Sequence, residues 1–147
     1  EKIRSVVQSG NEMLDIILNS KLSAAADAGI AVELMRAQAP PRLPLSDAEL
    51  CSLVVNLMDN ALEAAGAPGL EHPYIKLDLH IKNDFFAFTC ENSITPEWLD
   101  RETAPGHGLG LEIVRQIVTR HGNLTKTEYG RDFYRVAVVL PLRQPLK

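Results

Sequence analysis

The chain has 147 residues, of which 46% are hydrophobic and 23% are charged, and its formal net charge is −4. These values are typical of a soluble globular protein, and the length fits a single domain over residues 1–147. The acidic balance, without a basic cluster, argues against nucleic acid as a partner, and no apolar run approaches the roughly 20 residues that a membrane helix needs.

The first elements predicted along the chain are a helix and a short strand. Residues 1–10 resemble the remnant of a helix that begins upstream, which indicates an excised fragment whose parent has room for a membrane segment. Apolar residues at helical spacing predict a helix over residues 11–28, which Gly29 ends. Residues 30–34 alternate like a strand, and three prolines predict a loop over residues 36–45.

A second, longer helix is predicted from a capping box. Ser46 and Glu49 have the spacing of this motif, and the apolar pattern that follows continues to about Ala65. Residues 75–81 then alternate strictly between apolar and polar, and the Asn83-Asp84 pair predicts a turn into a partner strand. Phe86, Phe88 and Cys90 lie on one face of that partner strand.

The last third of the chain predicts an irregular stretch, a helix and a second hairpin. Residues 92–109 have no long period, although Thr95-Pro96 is suited to start one short turn of helix. A third long helix follows and ends at Gly122, and two strands are predicted at residues 124–129 and 133–140. The order of these elements predicts an α/β protein, specifically an α+β two-layer sandwich with a mixed, mostly antiparallel sheet and helices on one face.

Polar side chains form a stripe along the second long helix. Asn56 and Asn60 are four residues apart and therefore lie on one face. Asparagine costs up to about 0.7 kcal/mol against alanine inside a helix, so a pair of them indicates a demand other than solvation. An amide oxygen is a suitable ligand for Mg²⁺ carried by a nucleotide. The other polar residues of the stripe are Glu49, Ser52, Asp59 and Glu63.

A glycine-rich segment precedes the third long helix. Gly106, Gly108 and Gly110 allow the backbone to approach an anion closely, and the free N–H groups at a helix start favour negative charge. The pattern is neither a Rossmann fingerprint nor a P-loop, because the preceding strand and the Lys-Ser/Thr pair are missing. The long irregular stretch before it suits a lid that closes over a ligand.

Other candidate residues have ordinary structural explanations. His121 is expected to play a structural role near a helix end, and Trp98 is expected to anchor the lid by packing. Lys21 lies near the apolar face of the first helix, where its ammonium would reach solvent or a phosphate. The cysteines Cys51 and Cys90 are expected to be reduced thiols of the core.

Together these segments resemble the GHKL superfamily of ATP-binding domains. The segment NLMDNALEAA resembles the N-box of that family, and GHGLGLEIV resembles its G2 box. The opening segment LDIILNSKLSAAADAGIAVEL is similar to the one before the N-box in citrate-sensing and quorum-sensing kinases. The resemblance implies a Bergerat-type ATPase fold with ATP and Mg²⁺ as cofactors.

The resemblance also implies a role for individual residues. Asn60 would be the main Mg²⁺ ligand with help from Asn56, and both would be catalytic. Hydrolysing members carry a glutamate at position 56, and asparagine cannot serve as that general base, which favours phosphoryl transfer. The nucleotide would contact Asn56, Asn60, Glu63, Asn92, Gly106, His107, Gly108, Leu109, Gly110 and Leu111.

One motif departs from the family pattern. The G1 box Asp-x-Gly-x-Gly is absent, and CENSITP stands in its place, with Asn92 at the position of the adenine-reading aspartate. An amide oxygen can accept a hydrogen bond from the adenine amino group, although more weakly than a carboxylate. Glu91 is an alternative reader if the strand register differs by one residue.

The expected function is therefore that of the catalytic domain of a two-component sensor histidine kinase, cytoplasmic and without its phosphoacceptor histidine. The implied partners are ATP, a dimerisation and phosphoacceptor domain, and a response regulator, within a parent that is a membrane-bound homodimer. Two alternatives stay open. One is an anti-sigma-factor-type serine kinase, and the other is a degenerate docking module that keeps the fold without the nucleotide.

Overall fold

The computed structural model describes residues 6–105, 109–121 and 125–142, and for Leu109 and Gly110 it describes the backbone alone. The elements in chain order are α1 (Glu12–Asp27), β1 (Ala31–Ala37), α2 (Asp47–Ala65), β2 (Tyr74–Lys82), β3 (Phe85–Ser93), α3 (Pro96–Glu102), α4 (Leu109–Arg120), β4 (Thr125–Tyr129) and β5 (Phe133–Pro141). Five of them form one sheet in the order β1-β2-β3-β5-β4.

The sheet is mixed, as the sequence predicts. β1 and β2 are parallel and are joined through α2, whereas the other neighbours are antiparallel. A parallel pair needs a crossover of this kind, and a helix is its usual form. α1, α2 and α4 all pack against the sheet. None of the described helices is long and apolar enough to span a membrane.

The core lies between these helices and one face of the sheet. Buried and less buried residues alternate along β2, β3 and β5, which is the burial pattern of a sheet covered on one side. The strands contribute the buried residues Ile75, Leu77, Leu79, Phe86, Phe88, Cys90, Val136, Val138 and Leu140. The prediction of helices on one face is confirmed.

Local signals in the sequence account for the element boundaries. Asn83 and Asp84 have φ values of 51° and 66°, as both central residues of a two-residue type I′ hairpin require. The Ser46 side chain accepts a hydrogen bond from the N–H of Glu49, and the Glu49 side chain accepts one from the N–H of Ser46, which confirms the capping box. Gly29, with a φ of 79°, follows the end of α1.

Three predictions of local structure were wrong. β1 continues to Ala37, so residues 36–37 are strand and not loop, because the strand pairs with Leu79 beyond a bulge. Residues 6–10 are not helical; both backbone groups of Val7 bond to the Asn19 side chain instead. Residues 92 and 93 belong to β3, not to the irregular stretch.

The segment expected to be a lid contains the seven-residue helix α3. Thr95 caps it by accepting a hydrogen bond from the N–H of Trp98, and Pro96 occupies its first turn. Trp98 is 2% exposed and meets Tyr134 of β5 edge-on, with 5.2 Å between ring centroids. Its predicted role as a packing anchor is confirmed, and α3 is therefore fixed to the sheet.

Candidate functional site

The polar stripe of α2 lies on the side of the helix away from the core. Asn56 and Asn60 are partly buried, whereas Asp59 and Glu63 are exposed. The opposite side is buried in the core through Leu50, Leu53, Val54, Leu57, Met58, Ala61, Ala64 and Ala65. The structure therefore has the polar face and the apolar face of α2 on opposite sides of the helix, as the sequence predicts.

The two carboxamides of the stripe differ in their hydrogen bonding. The Asn56 amide nitrogen donates to the Ser52 carbonyl oxygen at 2.6 Å, one turn earlier in the helix. This bond engages the amide nitrogen and leaves the amide oxygen to accept other hydrogen bonds or to bind a metal. Within the described part of the chain, the Asn60 side chain makes no hydrogen bond and is available to a ligand.

The first turn of α2 contacts the C-terminal end of α4. The His121 Nε2 atom lies 3.1 Å from both carboxylate oxygens of Glu49, the residue that also completes the capping box. Arg120 adds a longer contact of 3.5 Å from a side chain that is mostly exposed. Hydrogen bonds from the Ser46 backbone and from His121 lower the pKa of Glu49. The structural role predicted for His121 is confirmed as this contact.

This contact sets the direction of α4. The two helices pack side by side, with the end of α4 at the beginning of α2, so they run antiparallel. At about 1.5 Å per residue, α2 rises about 17 Å between Glu49 and Asn60, and α4 spans about 18 Å back from His121 to Leu109. With axes that run side by side, this rise would bring the first N–H groups of α4, which have no partner within the helix, to about the height of Asn60.

The predicted residues at the start of α4 have different outcomes. Gly106, His107 and Gly108 lie outside the described residues, as do Gly122 and Leu124, where the predicted helix end and strand start fall. Leu109 and Gly110 form the first turn of α4. Leu111 is 2% exposed and lies in the core, so only its backbone N–H, and not its side chain, is free to meet a ligand.

The strand register distinguishes the two residues of β3, Asn92 and Glu91, that are candidates to contact a base. Asn92 is buried on the same face as Cys90, the face covered by helices, and its amide nitrogen donates to the Ser93 carbonyl at 3.1 Å. Glu91 points to the other face of the sheet, since successive side chains of a strand alternate. The alternative in which Glu91 replaces Asn92 is wrong for this register.

Glu91 has a structural role on the open face of the sheet. It accepts hydrogen bonds from the Tyr74 hydroxyl at 2.7 Å and from Arg135, whose Nη2 atom is also at 2.7 Å. Partial burial opposes its ionisation, but the bonds from Tyr74 and Arg135 outweigh that effect and lower the pKa of Glu91. These contacts join β2, β3 and β5 next to Asn92 and so fix its register.

Lys21 also forms an ion pair. Its Nζ atom lies 2.7 Å from Oδ1 of Asp59, which connects α1 to the polar stripe of α2. The predicted snorkelling of Lys21 is therefore directed at a carboxylate. Of the predicted core thiols, Cys90 is buried and its pKa is raised to about 12, mainly by burial, while Cys51 is only partly buried.

The amide oxygens of the polar stripe suit a metal ion that already has other ligands, such as water and phosphate. Among the described residues, no group of three or more histidine, cysteine or acidic side chains is placed to hold a metal ion. Mg²⁺ commonly takes only one or two protein oxygens and completes its shell with water and phosphate. The amide oxygen of Asn56 and the unengaged side chain of Asn60 fit that requirement.

Comparison with known proteins assigns the family. Residues 45–141, well over half of the chain, match the family described as the GHKL domain. The chain belongs to this family. The match begins just before α2 and ends at the last residue of β5, so it includes the polar stripe, Asn92 and α4.

The chain is similar to several histidine kinases. The chain is 29% identical over 140 residues to the sensor histidine kinase NatK of Bacillus subtilis, covering 87% of this chain but 44% of NatK. The catalytic domain of histidine kinase ThkA, solved in a nucleotide-free form, matches with a TM-score of 0.70 at 21% identity, over 88% of this chain and 92% of that domain. A histidine kinase from Burkholderia phymatum has a TM-score of 0.71 at 15% identity, over 95% of this chain and 72% of its own.

Proposed function

We propose that this chain is the ATP-binding catalytic domain of a sensor histidine kinase. It would hold Mg²⁺-ATP between the polar stripe of α2, the start of α4 and the Asn92 end of β3. The γ-phosphoryl group would pass to a histidine of a separate dimerisation domain and then to an aspartate of a response regulator. Because the chain covers under half of NatK, these partners and a membrane-bound homodimeric parent are part of the proposal.

Each group of residues has a separate task in this proposal. Asn60 and Asn56 would hold the metal through their amide oxygens, and Glu63, three residues after Asn60, would contact the nucleotide. The N–H groups of Leu109, Gly110 and Leu111, with Gly106, His107 and Gly108 before them, would hold the phosphates. Asn92 would accept a hydrogen bond from the adenine amino group. Mg²⁺, when bound, neutralises charge on the phosphates.

The side chain at position 56 also supports phosphoryl transfer over hydrolysis. An amide at position 56 has no basic lone pair on nitrogen and cannot remove a proton from water. Its nitrogen is moreover engaged with the Ser52 carbonyl. Phosphoryl transfer depends mostly on positioning and charge neutralisation, which amides and backbone N–H groups can supply.

The observation that carries the proposal is the antiparallel packing of α2 and α4, fixed by Glu49 and His121. It supports a common location for the amide stripe and the free N–H groups of α4, on the helix-covered side of the sheet where Asn92 lies. A nucleoside polyphosphate with its metal ion has parts that suit all three: a base for Asn92, phosphates for the N–H groups and a metal for the amide oxygens.

Isothermal titration calorimetry with Mg²⁺-ADP tests the proposal. The unmutated chain should bind, and Asn60→Ala should weaken binding at least tenfold, an effect of about 1.4 kcal/mol or more. Gln116→Ala is the matched control, because it removes an exposed carboxamide from α4 without touching the stripe. Equal binding by the Asn60 and Gln116 variants would refute the assignment of the metal site.

The same titration separates the alternatives. The alternative of a docking module without nucleotide stays open because CENSITP lacks the aspartate of the family. This alternative predicts no heat of binding from a folded chain. The serine kinase alternative also predicts binding. It differs in its substrate, so incubation with a purified phosphoacceptor domain and labelled ATP distinguishes it by the acid stability of the phosphorylated product.

A further inference from the structure

The polar stripe of α2 carries three carboxylates beside the two amides. Besides Asn56 and Asn60 it contains Glu49, Asp59 and Glu63, and Asp59 lies three residues after Asn56 and four before Glu63. Residues at these spacings are neighbours on a helix surface. An uncompensated Asp59 would therefore repel the phosphates that the proposed function places over the two amides.

The structure supplies compensation from outside the matched family region. Lys21 belongs to α1, ahead of residues 45–141, and its Nζ atom lies 2.7 Å from Oδ1 of Asp59. The Lys21 side chain is 26% exposed and the Asp59 side chain is 54% exposed. The ammonium therefore approaches from the α1 flank and leaves part of the carboxylate open to solvent.

We propose that Lys21 is a positioning residue for the nucleotide: it neutralises Asp59 beside the metal-binding amides so that the stripe accepts a polyphosphate. The inference rests on the proposed function and adds a residue to it. Lys21 acts through Asp59 and makes no contact of its own with the phosphates. The ion pair itself is half-exposed, so its contribution to folding is small and its main effect is on the local potential.

If Lys21 acts through its charge, its removal affects charged and neutral ligands differently, whereas a packing role predicts no such difference. Removing the ammonium should weaken binding in proportion to the charge of the ligand, with Mg²⁺-ADP affected and adenosine unaffected. The expected loss for Mg²⁺-ADP is about three- to tenfold, the effect of one unit charge at a partly exposed site. Removing the Asp59 charge as well should restore the affinity.

The experiment compares the unmutated chain and four variants by calorimetry with Mg²⁺-ADP and with adenosine. Lys21→Met keeps the unbranched stem and removes the charge; Lys21→Met with Asp59→Asn removes both charges. Lys21→Arg keeps the charge, and Lys82→Met is the control, since Lys82 is exposed at the hairpin end of β2, far along the sheet from Asn92. Thermal unfolding of each chain shows whether it is folded.

The outcomes distinguish this inference from the function on which it rests. The expected result is weaker Mg²⁺-ADP binding by Lys21→Met alone, with affinity restored in the double variant and retained in Lys21→Arg and Lys82→Met. If Lys21→Met binds as the unmutated chain does, or if the double variant stays weak, the inference is wrong and the function stands. If the unmutated chain binds no Mg²⁺-ADP, both are wrong.

Discussion

The contact between Glu49 and His121 is the first feature to test, because it aligns α4 with the polar stripe. We expect His121→Ala to lower the free energy of unfolding. A hydrogen bond to a charged group contributes about 1.5–3 kcal/mol, and an exposed ion pair only about 0.2–1 kcal/mol. The two side chains are 22% and 20% exposed, which places the expected loss between these ranges, at about 1–1.5 kcal/mol.

Urea denaturation followed by circular dichroism measures this loss. With a slope of about 2 kcal/mol per molar, the midpoint should fall by roughly 0.5–0.8 M. Glu49→Gln keeps an oxygen for the Ser46 N–H, so the cap of α2 is preserved while the charge is lost. In a double-mutant cycle, His121→Ala and Glu49→Gln should couple by about 1 kcal/mol.

Arg120→Ala is the control for this cycle. Arg120 lies next to His121 and also faces Glu49, but at 3.5 Å and with a side chain that is 63% exposed. Its removal should change stability by less than about 0.5 kcal/mol. Additive effects of the Glu49 and His121 substitutions, or an equal effect of Arg120→Ala, would refute the view that this contact aligns the two helices.

Three further predictions concern β3 and its neighbours. Asn92→Asp should strengthen Mg²⁺-ADP binding about three- to tenfold in calorimetry, since a carboxylate accepts the adenine amino group more strongly; unchanged affinity would mean that Asn92 does not contact the base. Trp98→Ala should cost about 3–5 kcal/mol of unfolding free energy in urea, because the buried ring packs on Tyr134, and a cost below about 1 kcal/mol would contradict its role as the anchor of α3. The pKa of Glu91 is lower in the folded chain than its ordinary value of 4.5, so the ionised carboxylate stabilises the fold at any pH above 4.5. This stabilisation is lost as the pH falls below 4.5 and through the pKa of the folded state. As the pH is lowered from neutral to below 4.5, Glu91→Gln should therefore lose less stability than the unmutated chain, and equal losses would rule out this contribution.

Strong local patterns made much of the fold predictable. The capping box and apolar spacing located α2, the strict alternation located β2, and Asn83-Asp84 located the hairpin turn, all because the physical cause lies within a few residues. The amide stripe was predictable for the same reason, since i, i+4 spacing alone places Asn56 and Asn60 on one face.

The features that sequence reasoning missed depend on distant partners. β1 reaches Ala37 only because Leu79 is available for pairing, and the Lys21–Asp59 and Glu49–His121 contacts join residues 38 and 72 positions apart. The signal for the second contact was present, as His121 lies on the apolar face of a helix. Its partner was not identifiable, because several carboxylates lie on exposed helix faces.

Taken together, the contacts of α2 explain why two asparagines are retained inside a helix. Its carboxylates at Glu49 and Asp59 have cationic or hydrogen-bonding partners from α4 and α1, respectively. The carboxamide of Asn56 is held by its own helix, and that of Asn60 has no partner among the described residues. A solvated surface needs no such arrangement, and glutamine or lysine would stabilise the helix by several tenths of a kcal/mol more, roughly, at each position. Paired carboxylates at positions 49 and 59 beside two amide oxygens are instead what the proposed binding of a metal that carries an anion requires.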